Sequence, residues 1–80
     1  MVEKFNKELI IHYKKNINTN VYKRVISKLT NGKFNVTTYY RENKINKTFV
    51  SKIEFNKEQI EELIVDYLKE FKIKKTLEFN

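Results

Sequence analysis

Asn31-Gly32 contains the only glycine of a chain that has no proline, so this dipeptide is where the backbone chemistry most plainly demands a sharp reversal. It separates two runs rich in β-branched and aromatic residues, VYKRVISKLT and KFNVTTYYR. An Asn-Gly pair so placed predicts a hairpin closed by a two-residue type I′ turn, because both central residues then need positive φ and these two types tolerate it best. Such a turn would set Thr30 against Lys33, Leu29 against Phe34, Val25 against Thr38 and Arg24 against Tyr39. Strand side chains alternate faces, so this register predicts a core face of Val25, Leu29, Phe34 and Val36. The opposite face would carry Tyr22, Arg24, Lys28, Lys33, Tyr39 and Arg41.

The other elements follow from periodicity. In NKEQIEELIVDYLKEFK, residues 56–72, the positions Ile60, Leu63, Ile64, Tyr67, Leu68 and Phe71 draw one apolar stripe at the α-helical repeat. Asn56 suits the N-cap, Gln59 completes a capping box, and Phe55 with Ile60 is placed for a hydrophobic staple. Upstream, FNKELIIHYKK puts Phe5, Leu9, Ile11 and Tyr13 on one side of a strand, and NINTN, residues 16–20, reads as a polar turn. KTFVSKIEF, residues 47–55, reads as a fourth strand with Phe49, Ile53 and Phe55 facing the core, joined to the third by the short ENKIN link. The terminal IKKTLEFN is open to three readings: a helix extension, a fifth strand, or an arm crossing to a second copy. The expected fold class is α+β, a four-stranded antiparallel meander followed by one C-terminal amphipathic helix packed on one sheet face (ββββα), in a single domain spanning residues 1–80.

Composition narrows the function classes. A chain of 80 residues supports one modest core, which makes a homodimer the expected state. There is no cysteine, hence no disulfide framework or thiolate metal site, and no apolar run reaches membrane-spanning length. A cytoplasmic protein that does not act at membranes is the expectation. Catalysis has little to rest on, because His12 is the single histidine and Glu58, Glu61, Glu62 and Asp66 fall on the polar face of the helix. No cofactor or metal is implied, since one glycine cannot build a phosphate-cradling loop and no ligand spacing is present.

The formal charge is +7, and it is unevenly distributed. Residues 57–72 hold three Lys against five acidic residues, while residues 1–55 hold 12 Lys and Arg against four Glu. The basic charge therefore belongs to the sheet segment. A sheet face with cations interleaved among tyrosines is what single-stranded nucleic acid needs, phosphates being neutralised by Lys and Arg and bases stacking on the rings. The candidate nucleic-acid-binding residues are Tyr22, Arg24, Lys28, Lys33, Tyr39, Arg41 and Lys52. The bland alternative is that the tyrosines pair with the arginines across the ladder and the lysines are a solvated face.

The segment GKFNVTTYYRENKINKTFVSKIEFNKEQIEELI resembles the single-stranded-DNA-binding transcriptional coactivator family and its Whirly relatives. There too a strand opened by Gly-Lys leads through a polar loop to another strand and a helix that begins with an acidic-Gln pair, here Glu58-Gln59. The segment departs from that pattern at Thr37, Thr38 and Tyr39, where an Asp-Ile-Arg-like run is usual, and in its short loop. The resemblance implies a homodimer packed through helices, with strands curved around single-stranded DNA. The order of elements is also similar to the arm-type DNA-binding domains of phage integrases, which use duplex DNA, so the strand state stays open. A protein-binding module, such as an inhibitor encoded by a phage or other mobile element, is the alternative function class; Ile10, Ile26, Val50 and Val65 are its candidate apolar contacts.

Overall fold

The computed structural model describes residues 5–14, 20–70 and 75–80. Among these residues, five strands and one helix occur in the order β1 (Glu8–Tyr13), β2 (Val21–Lys28), β3 (Phe34–Glu42), β4 (Ile45–Val50), α1 (Lys57–Glu70) and β5 (Lys75–Phe79). The strands form one antiparallel sheet in the order β4-β3-β2-β1-β5. The expected meander plus helix is therefore present, and of the three readings of the C-terminus the fifth strand is the one adopted, paired with β1. The expected turn residues 16–19 and the last stripe residue, Phe71, lie outside the described residues.

α1 begins as its local chemistry dictates. Gln59 N–H donates to Asn56 Oδ1 at 2.8 Å and Asn56 N–H donates to Gln59 Oε1 at 2.9 Å, so the capping box satisfies two backbone donors reciprocally. The stripe then lands on the sheet. Ile60 and Ile64 are fully buried against Phe5, Leu9, Ile11, Tyr13, Ile26, Phe34 and Val36, with Leu63, Tyr67 and Leu68 packed around them.

The β2–β3 hairpin corrects the expected register. Leu29 N–H donates to Lys33 O at 2.8 Å and Gly32 N–H to Leu29 O at 3.0 Å, which encloses the three residues Thr30, Asn31 and Gly32 in the loop. Gly32 has φ 83° and Asn31 does not share the positive φ of a type I′ turn, so the reversal is a type I turn followed by a left-handed glycine. Asn31 holds it from both sides, accepting from Lys33 N–H at 3.0 Å and donating to Glu54 Oε1 at 2.9 Å. One extra loop residue moves the whole pairing by one: Ile26 now faces Val36, Arg24 faces Thr38, and Lys23 faces Tyr39. Arg24 and Ile26 therefore point toward α1, and Lys23 and Val25 point away. The expected core face of Val25, Leu29, Phe34 and Val36 keeps its β3 half and loses its β2 half.

The type I′ turn occurs instead between β3 and β4. Glu42 pairs with Ile45, and the two residues between them, Asn43 and Lys44, have φ 50° and 66°. The fourth strand is also shorter than expected. At Ser51 the side chain intrudes on the ladder: Val36 N–H donates to Ser51 Oγ at 3.0 Å while Ser51 Oγ donates to Ile53 O at 3.2 Å. Lys52, Ile53 and Glu54 bulge out, pairing resumes only at Phe55 opposite Phe34, and the expected core residues Phe49 and Ile53 are exposed.

Two loop substitutions separate conformational cost from contact. A Cβ at Gly32 would meet nothing within 4 Å, so Gly32→Ala loses only backbone freedom at positive φ, about 1 kcal/mol by chemical denaturation. Lys44→Gly should act oppositely, raising stability by about 0.5–1 kcal/mol, because Lys44 already occupies the left-handed region.

Candidate nucleic-acid interface on the open sheet face

With the register in place, the face turned away from α1 can be read row by row. His12, Lys23, Tyr39 and Thr48 lie side by side across β1 to β4, and Ile10, Val25, Thr37 and Val50 form the next row. Val25 is buried there, between Ile10 and Thr37, so the open face has a small apolar floor of its own.

The first row carries the chemistry. A register shift between Val21 and Lys23 bulges β2 and brings Tyr22 beside Tyr39, ring centroids 6.2 Å apart at 45°. Lys23 Nζ stands 4.3 Å from the centroid of the Tyr39 ring. Arg41 Nε donates to Asn46 Oδ1 at 3.0 Å, which orients the guanidinium. Lys44 lies in the adjoining turn, exposed. Two rings and the cations Lys23 and Arg41 thus gather at the β3–β4 turn end of the open face, with Lys44 in the turn itself.

The opposite flank differs in sign. Glu78 of β5 sits 3.7 Å from His12 Nε2, and Glu8 lies on the same side of β1. Glu58, Glu61, Glu62 and Asp66 line a shallow groove on α1, which is on the other side of the sheet. On the open face the cations Lys23 and Arg41 therefore lie on β2 and β3, apart from Glu8 and Glu78 on the β1–β5 side.

Of the seven residues expected to form one surface, the structure brings together Tyr22, Tyr39 and Arg41. Arg24 belongs to the other face and is 9% exposed, beneath the helix. Its guanidinium carbon is 4.2 Å from the Tyr67 ring centroid, Nη1 donates to Tyr13 Oη at 3.1 Å, and Nε lies 3.4 Å from Thr38 Oγ1. Lys28 also turns to the helix side, its Nζ 5.1 Å from the Phe5 ring centroid. Both displacements are the one-residue loop difference expressed at two positions. Lys33 flanks the Asn31-Gly32 loop opposite Leu29 and Lys52 lies in the Ser51 bulge, both exposed and both at the far end from the tyrosine pair. Sequence reasoning missed Lys23 and Asn46; a three-residue loop reading would have set Lys23 against Tyr39.

Among the described residues no group of three or more His, Cys, Asp or Glu could hold a metal ion, and no helix is long and apolar enough to cross a membrane. No protein-family model, curated protein or solved structure matches the chain.

The two neighbouring cations of β2 provide a test of the placement. Arg24→Ala should destabilise the fold by about 2–3 kcal/mol in a denaturant titration, through lost packing and lost contact with two tyrosines. Arg24→Met, which keeps an apolar stem of similar length, should lose less than about 1.5 kcal/mol. Lys23→Ala should stay within about 0.5 kcal/mol. The reverse ranking would mean that β2 presents its other face to α1.

Proposed function

We propose that the β2–β4 half of the open sheet face binds single-stranded nucleic acid. The observation that carries this reading is the Tyr22–Tyr39 pair flanked by Lys23 and Arg41 on a sheet face that α1 leaves uncovered. Tyr22 is 37% exposed and offers ring surface to an unpaired base. Lys23 now stacks on Tyr39 through a long flexible stem, so an arriving base can take the ring while the ammonium moves to a phosphate. Arg41, with Nε held by Asn46, keeps its terminal N–H groups for a phosphate oxygen.

Single strands are favoured over duplex because stacking requires an unpaired base with both faces available. The acidic groove on α1 lies on the opposite side of the molecule, which orients the approach of a polyanion toward the sheet. The resemblance of residues 32–64 to single-stranded-DNA-binding coactivators supports the same reading. A cysteine-free chain of this kind suits the reducing cytoplasm, where such strands occur.

The test is an anisotropy titration with labelled single-stranded and duplex oligonucleotides at two or more salt concentrations. Contacts from Lys23, Arg41 and Lys44 should give a log–log salt slope of about −2 for single strands, at roughly −0.7 per phosphate. Tyr39→Ala and Tyr22→Ala should each weaken binding by about 1–3 kcal/mol while the slope stays the same. Lys23→Ala should instead flatten the slope by about 0.7. Equal affinity for duplex and single strands, unmoved by either tyrosine substitution, would reduce the surface to nonspecific basicity.

A further inference from the structure

β4 ends the sheet on one side. Among the described residues no strand lies beyond it, and all six of its residues are exposed. The direction of its backbone groups follows from bonds around β3. Arg41 N–H donates to Asn20 O toward β2, whereas Ser51 N–H donates to Val36 O, so Glu42, Tyr40 and Thr38 face their β4 partners Ile45, Lys47 and Phe49 through hydrogen-bonded pairs. Asn46, Thr48 and Val50 accordingly turn N–H and C=O outward, a row of backbone groups ready to pair with another chain.

The side chains along this edge specify what could lie there. On the helix side Ile45, Lys47 and Phe49 stand in sequence, with Ile45 59% and Phe49 53% exposed. On the other side Val50 is 51% exposed. Lys47 pairs with Glu42 at 3.2 Å, and Arg41, Lys44, Lys47 and Lys52 outnumber the carboxylates Glu42 and Glu54 in this region. A second copy laid antiparallel with Ile45 opposite Phe49, the register that matches its apolar residues, would set Lys47 directly against Lys47. An acidic residue at that point, with apolar neighbours two positions away on each side, would face Lys47, Ile45 and Phe49 in turn.

We infer that the β4 edge binds an extended segment of another protein by strand addition, the segment carrying an acidic residue between two apolar residues at alternate positions. Backbone pairing through Asn46, Thr48 and Val50 supplies affinity, and the Ile45-Lys47-Phe49 row supplies selectivity. Tyr22 and Tyr39 are not part of this edge, and peptide binding is read without nucleic acid, so failure of the one reading is distinguishable from failure of the other.

The probe is a fluorescein-labelled peptide in which valine, glutamate and phenylalanine alternate with threonine, compared with one carrying lysine in place of the glutamate. Fluorescence anisotropy should show saturable binding of the glutamate peptide and at least about tenfold weaker binding of the lysine peptide. Thr48→Pro removes one outward N–H without taking a bond from β3, and should weaken binding at least about tenfold with an unchanged circular dichroism spectrum. Should that variant fail to fold, Lys47→Glu provides the second measurement, since it should reverse the preference between the two peptides. Indifference to peptide charge, or no saturable binding by the folded protein, overturns the inference. A dimer in analytical ultracentrifugation that Thr48→Pro dissolves would assign the edge to a second copy and overturn it as well.

Discussion

The register of the β2–β3 hairpin governs the rest of the molecule. Gly32 at φ 83° closes a loop of three residues, and that parity decides which half of β2 meets the helix. Ile26 enters the core opposite Val36, Arg24 goes under Tyr67, and Lys23 emerges beside Tyr39. With a loop one residue shorter, every one of these assignments reverses, because the side-chain period of a strand is two. Core and candidate interface are thus alternative readings of the same eight-residue strand, separated by one position.

Features determined within a few residues were legible in the sequence. The capping box at Asn56 and Gln59, the stripe through Ile60 and Ile64, and the inward set Phe5, Leu9, Ile11 and Tyr13 are all local patterns, and all are present. The hairpin parity was not, since Asn-Gly serves both the type I′ turn and the type I turn followed by a left-handed glycine. What distinguishes them here includes a contact 23 positions away, from Asn31 Nδ2 to Glu54, itself placed by the Ser51 bulge. Apolar alternation could not arbitrate either. β2 offers Val25 on one parity and Ile26 on the other, and both are buried, one on each face of the sheet. Of the seven residues expected on one face, Tyr22, Tyr39 and Arg41 therefore share it, Arg24 and Lys28 turn to the helix side with Lys23 taking the place beside Tyr39, and Lys33 and Lys52 lie at the far end.

Burial of Arg24 shows how a charged residue can occupy a face that a helix covers. A buried cation is costly, and the cost falls when its donors find oxygen and its plane finds aromatic surface. Tyr13 and Thr38 provide hydroxyl oxygens, while the rings of Tyr13 and Tyr67 provide the surface. Four tyrosines consequently divide by face: Tyr13 and Tyr67 offset part of the cost of burying one cation, and Tyr22 and Tyr39 stand with another on the open face. Arg24 also links β2 to the distal half of α1, where the apolar stripe gives way to partly buried Tyr67 and Leu68.

The two margins of the sheet are not equivalent, and charge explains the difference. β5 shields the strand that contributes the fully buried Leu9 and Ile11, and it clasps β1 through Asn80, whose N–H donates to Glu8 O while its carbonyl accepts from Asn6, Lys7 and Glu8. β4 shields β3 only as far as Ser51, beyond which the bulge lifts the chain off the ladder. An open edge so rich in apolar side chains invites indiscriminate pairing, and a lysine on the edge is a common way to oppose it. Lys47 does this between Ile45 and Phe49, yet the same ammonium that repels another β4 would attract a carboxylate. A lysine that opposes pairing with another β4 would thereby also favour a partner of opposite sign, and one side chain would suffice for both effects because like and unlike charges at cross-strand distance differ in sign and not in geometry.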